Sequence, residues 1–105
     1  MKRSAQPARR TFLVECFAPS GMRAELATAD RLLDERARAG GRAAVWLGTL
    51  AIPHDEVAFY VFSADSELAV RDASMAARLP LERIVECRIG GSSPWGPRRA
   101  AGFRR

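Results

Sequence analysis

Between Thr11 and Ile89 the apolar residues come in short runs whose spacing switches between two periods. Thr11 to Ala18, TFLVECFA, is dense in β-branched and aromatic side chains and is closed by Pro19, Ser20 and Gly21, which predicts a strand and its turn. From Met22 the apolar positions fall at Leu26, Ala29, Leu33 and Ala37, the steps of three and four that put them on one face of a helix. Ser20 can cap its first turn, and Gly40 with Gly41 can take the left-handed backbone that ends it. Ala43 to Ile52 predicts a second strand, Pro53 to Glu56 (PHDE) a polar turn, and Val57 to Phe62 a third strand, together a hairpin. Asp65 or Ser66 then caps a helix running to about Arg78, with Leu68, Ala69, Ala73 and Ala77 as its inner stripe and Pro80 as its stop. Glu82 to Ile89 is the last strand. Residues 1–10 and 90–105 are expected to be mobile basic tails around a single domain at 11–89.

Strand, helix, strand, strand, helix, strand is the βαββαβ order of the ferredoxin-like fold, an α+β architecture with a four-stranded antiparallel sheet and both helices on one face. The other face is the informative one. Alternation splits the first strand into Phe12, Val14 and Cys16 against Leu13, Glu15 and Phe17, and the third into Val57, Phe59 and Val61 against Ala58, Tyr60 and Phe62. The second strand likewise has Val45, Leu47 and Ala51 against Trp46, Leu50 and Ile52. Both sets are apolar, whereas a solvated face should show polar residues at every second position. The helix-free face is therefore expected to be covered, most simply by a second copy packed sheet to sheet about a two-fold axis.

Composition adds a bound and a correction. The chain has 105 residues, 48% of them hydrophobic and 28% charged, which is one soluble domain with a modest core. Its net charge of +5 is misleading, because the tails carry eight of the cations and no acid, while 11–89 holds all twelve acids against nine arginines. The domain is mildly acidic, so a nucleic-acid role would be carried by the tails alone, by Arg9, Arg10 and the arginines mixed with Trp95 and Phe103. No apolar run is long enough to span a membrane, and the start lacks a secretory cleavage pattern, so a cytoplasmic protein is expected. Cys16 and Cys87 are too few and too far apart for a disulfide framework and are expected reduced.

The chemistry on offer is sparse. The one histidine, His54, stands beside Asp55 and Glu56 in the hairpin turn, a hard trio that could hold a divalent ion and is otherwise a solvated tip. There is no CxxC, no HExxH and no glycine-rich phosphate loop, and no cofactor is predicted. The remaining candidates are the acids of the twice-used Val-Glu-Cys at 14–16 and 85–87. With the cysteines toward the helices, Glu15 and Glu86 would project into the cleft between two sheets. One could act there as a general base with Tyr60 as the orienting hydroxyl, or both could pair with Arg83 or Arg88 and fix the interface. Phe17, Trp46 and Tyr60 would wall that cleft and Arg88 would reach a ligand in it. Whether the protein is an enzyme stays open at this point; a homodimeric small-ligand-binding or accessory protein is the leading expectation.

The runs LVECFAPSGMRAELATADRL and GTLAIPHDEVAFYVFSADSELAVRDASMAARLPLERIVE, across residues 11–89, resemble a family of small bacterial ferredoxin-like domains of unknown function that includes a nickel-binding protein. The resemblance implies a dimeric α/β barrel with a ligand or metal cleft between its sheets. Where metal-binding members place a histidine on the second strand, a cysteine on the third and a histidine in the second helix, this chain has Gly48, Tyr60 and Ala73.

Overall fold

The computed structural model describes residues 9–19 and 23–91. Strands β1 (Arg10–Phe17), β2 (Ala44–Ile52), β3 (Val57–Ala64) and β4 (Leu81–Cys87) form one antiparallel sheet in the order β2-β3-β1-β4. Helix α1 (Arg23–Arg38) links β1 to β2, and α2 (Glu67–Ala76) links β3 to β4, which is the expected ferredoxin-like arrangement. β1 starts one residue earlier than expected and β4 ends two residues sooner, while the expected tail mobility and the Ser20 cap lie outside the described residues.

Local chemistry sets the element ends. The Ser66 hydroxyl accepts from the Ala69 amide at 3.2 Å and caps α2. Gly40, at φ +93°, ends α1 by turning the chain so that the Gly40 and Gly41 amides reach the Ala37 and Arg36 carbonyls. The β2–β3 connection is a single 3-10 turn, Pro53–Asp55, closed by Glu56 in left-handed backbone, its amide bonded to the Pro53 carbonyl.

One core lies between the sheet and the helices. Phe12, Val14 and Cys16 of β1 and Ala58, Tyr60, Phe62 and Ala64 of β3 meet Ala29 and Leu33 of α1 and Val70, Ala73 and Ala77 of α2, all buried. Their alternation agrees with the register, which pairs Phe12 with Phe62, Val14 with Tyr60 and Cys16 with Ala58. Small side chains dominate the helix contribution, so the helices lie close on the sheet and leave few bulky anchors.

Arg9 and Arg10 are part of the fold rather than free tail. Arg9 donates to Asp65 Oδ1 at 3.1 Å and to the Arg42 and Ser63 carbonyls at 3.1 and 3.0 Å, tying the start of β1 to the end of β3 and the entry to β2. Arg10 reaches Glu86 at 3.3 Å and the Asp65 carbonyl at 3.1 Å, and lies 5.2 Å over the Phe12 ring. Two arginines counted toward a nucleic-acid tail are thus engaged within the domain.

Candidate functional site

The register assigns every strand residue to a face. Opposite the helices lie Thr11, Leu13, Glu15 and Phe17 of β1, Val57, Phe59, Val61 and Ser63 of β3, Val45, Gly48, Leu50 and Ile52 of β2, and Arg83, Val85 and Cys87 of β4. These stack into rows across the sheet: Ile52, Val57 and Phe17; then Leu50, Phe59, Glu15 and Arg83; then Gly48, Val61, Leu13 and Val85. Phe17 and Leu50 are each 50% exposed, and Val85 is exposed beside half-buried Leu13, Val57 and Phe59. A face of this composition in contact with water is a cost that a single copy does not relieve.

One ion pair interrupts it. Arg83 Nε donates to Glu15 Oε1 at 2.7 Å across β1 and β4, a short charge-assisted bond, with the carboxylate the better covered partner. Of the cleft residues expected from the sequence, Glu15 and Phe17 are on this face and the others are not. Tyr60 pairs with Val14, and Trp46 with Phe62, so both point to the helices. Glu86 pairs with Phe12 and lies on the helix side of the edge strand, exposed, where it meets Arg10. Cys87 takes the open face instead, half-buried. Arg88 is exposed just past the end of β4.

The physical reason is the register. β1 and β3 pair residues whose numbers share parity, as do β1 and β4, so Glu15 shares a face with Phe59 and Arg83, not with Tyr60 or Glu86. The two copies of Val-Glu-Cys start on an even and an odd number and therefore present opposite faces. β-Bulges, one at Glu15/Cys16 against β4 and one between Trp46 and Gly48 in β2, further separate spacing from facing.

The hairpin trio is corrected as well. His54, Asp55 and Glu56 are all exposed, and among the described residues no three histidine, cysteine, aspartate or glutamate side chains gather as a metal site would require. Burial, with the Glu82 and Glu15 charges adding to it, pushes the Cys16 thiol up to about 12, so it is packing material and not a nucleophile. The Cys87 thiol is also raised, chiefly by burial and then by Glu86.

A polar cluster on the helix side was not expected. Trp46 Nε1 donates to Thr49 Oγ1 at 3.1 Å, and Thr49 donates in turn to Asp30 Oδ1 at 3.2 Å, joining β2 to α1. Tyr60 lies alongside with its ring fully buried and its hydroxyl beside the Asp30 carboxylate, outside regular hydrogen-bond geometry. Burial and then the Asp30 carboxylate hold its phenol well above the ordinary range, so it stays a neutral donor. The sequence signals were slight: Thr49 is the lone hydroxyl within an apolar strand, and Asp30 follows Ala29 on the inner turn of α1.

Comparison with known proteins adds a likeness of fold. No family model and no curated protein matches the chain. A solved structure from Chloroflexus aurantiacus J-10-fl, described as an antibiotic biosynthesis monooxygenase, is similar over 82% of this chain and 98% of its own, at 18% identity and a TM-score of 0.47. That similarity is too distant to speak for activity, and the ferredoxin-like assignment stands on strand order and pairing. Nothing in these comparisons supports the nickel-binding resemblance, and Gly48, Tyr60 and Ala73 offer no histidine or thiolate ligand set. No helix among the described residues is long and apolar enough to cross a membrane.

Proposed function

We propose that the protein is a homodimeric small-ligand-binding or accessory protein whose two copies pack by their open sheet faces and enclose a cleft between them. The observation that carries this is the apolar open face, with Phe17 and Leu50 half out in water beside Leu13, Phe59 and Val85. Four strands spaced ~4.8 Å apart and eight residues long at ~3.3 Å each make a patch of about 500 Å² before side-chain relief. That approaches the ~800 Å² per partner of a stable interface. An apolar patch meeting its own copy about a two-fold axis is complementary by symmetry.

The Glu15–Arg83 pair fits this assembly as an anchor. The guanidinium at 2.7 Å fixes the Glu15 carboxylate in place, which supports the anchoring role over that of a mobile acid or base. The two free thiols suit a reducing cytoplasmic setting. Native mass spectrometry of the untagged protein tests the proposal in one spectrum: a dimer carrying extra organic mass is the expected result. A bare monomer at every concentration would overturn it.

A further inference from the structure

The first turns of α1 place Ala24, Glu25 and Thr28 on one side of the helix, since residues three and four apart share a face. Ala77 and Arg78, which end α2, come up against that side, and the five residues line a cleft of about 260 Å³ between the helices. Arg78 is in left-handed backbone there, at φ 60°, its amide donating to the Met75 carbonyl and the Leu79 amide to the Ser74 carbonyl, both at 3.0 Å. That conformation favours glycine, which the chain does use where α1 ends, at Gly40. An arginine in its place sets a guanidinium on the cleft in spite of the strain. The Glu25 carboxylate lines the same cleft from the facing helix. Neither Glu25 nor Arg78 belongs to an ion pair among the described residues, so opposite charges border one small space without closing on each other.

We propose that Glu25, Thr28 and Arg78 form a binding site between α1 and α2 for a small zwitterionic amino acid with a short side chain.

The class of ligand follows from charge and size. A guanidinium presents paired N–H donors that match a carboxylate, the Glu25 oxygens accept from an ammonium, and the Thr28 hydroxyl can serve either group. A plain carboxylic acid meets Arg78 but faces Glu25, and a plain amine meets Glu25 but faces Arg78, so each gains one attraction against one repulsion. A zwitterion gains both attractions. Sites for drug-sized ligands run to ~300–1,000 Å³, so this cleft holds only a few heavy atoms, with the Ala24 and Ala77 methyl groups beside a short side chain. Glu25, Thr28 and Arg78 are exposed, so water and salt screen both charges and set the affinity in the millimolar range. All five lining residues belong to the helix layer of one copy, so the site does not depend on the dimer proposed above.

L-Alanine is the probe, with propionate and ethylamine as the same skeleton lacking one charge or the other. In a titration of the ¹⁵N-labelled protein at fixed ionic strength, the amides of Glu25, Thr28, Ala77 and Arg78 are expected to shift and saturate at millimolar L-alanine. Propionate and ethylamine should bind at least tenfold more weakly. Arg78→Gly should weaken L-alanine at least tenfold, as loss of a charged hydrogen-bonding partner does. Glycine is at ease in that backbone, so the variant keeps its fold and the loss reports the guanidinium. Glu25→Gln, at an exposed helix position, gives a second and independent loss of similar size. No saturable shift, propionate or ethylamine binding as tightly as L-alanine, or undiminished affinity in both variants would overturn the site.

Discussion

Replacing Tyr60 by Phe should make the unliganded protein more stable. The ring is fully buried between β1 and β2, opposite Val14 and Thr49, and a phenyl group fills the same space. What changes is the hydroxyl, which sits beside the Asp30 carboxylate but makes no hydrogen bond of regular geometry. Burying such a group unpaired costs about 1–3 kcal/mol. The void left on removing one oxygen, roughly 10 Å³ at ~24 cal/mol per Å³, returns only about 0.2 kcal/mol. The net expectation is a gain of about 1–3 kcal/mol, seen as a rise in Tm of about 4–8 °C for each kcal/mol in a domain of this size. Urea unfolding followed by circular dichroism is the direct assay, with the midpoint moving up and the slope unchanged. A loss of about 1 kcal/mol or more would refute the reasoning, because it would show the hydroxyl satisfied in solution and the acceptor capacity of Asp30 already taken.

Three further outcomes follow from other parts of the molecule. Burial pushes the Cys16 thiol from its ordinary 9.0 up to about 12, and the Tyr60 phenol is raised too. Above pH 9 the unfolded state sheds protons the folded state keeps, so stability is complete below pH 9 and falls as pH rises toward 12; urea midpoints at pH 8 to 11 should show that decline, and Cys16→Ala should flatten its first part. A thiol reagent should label Cys87 but leave Cys16 untouched in the native protein, and labelling of Cys87 should slow as protein concentration rises and the open face is covered, whereas rates independent of concentration would count against that cover. Arg9→Ala removes a guanidinium that ties Asp65, Arg42 and Ser63 together and should cost about 1 kcal/mol by chemical denaturation, while an unchanged midpoint would mean the tie is idle in solution.

The element order was legible because it depends on local signals. The steps from Leu26 to Ala29 to Leu33 mark the inner face of α1, Ser66 caps α2, and the charged PHDE turn separates β2 from β3. Facing was not legible, because on β3 both alternating sets are apolar and the pattern holds no preference between them. Tyr60 could be placed with Glu15 only by assuming a register, and the pairing of Val14 with Tyr60 reverses it. β4 carried the same ambiguity, since Arg83 and Glu86 put a charge on each face of this edge strand. The Asp30–Thr49–Trp46 chain depends on α1 lying over β2, a tertiary contact that no spacing in either segment encodes.

Sedimentation velocity on the intact protein and on the single variants Phe17→Glu and Leu50→Glu tests the central claim most directly. Each side chain is 50% exposed in one copy, so covering the rest is worth roughly 1 kcal/mol, counted twice across a two-fold axis, and each glutamate adds an unpaired charge to the interface. The intact chain is predicted to sediment as a dimer at micromolar concentration, and both variants as folded monomers with affinity reduced more than ~100-fold. A wild-type monomer at every concentration, or a dimer indifferent to both substitutions, would contradict the account.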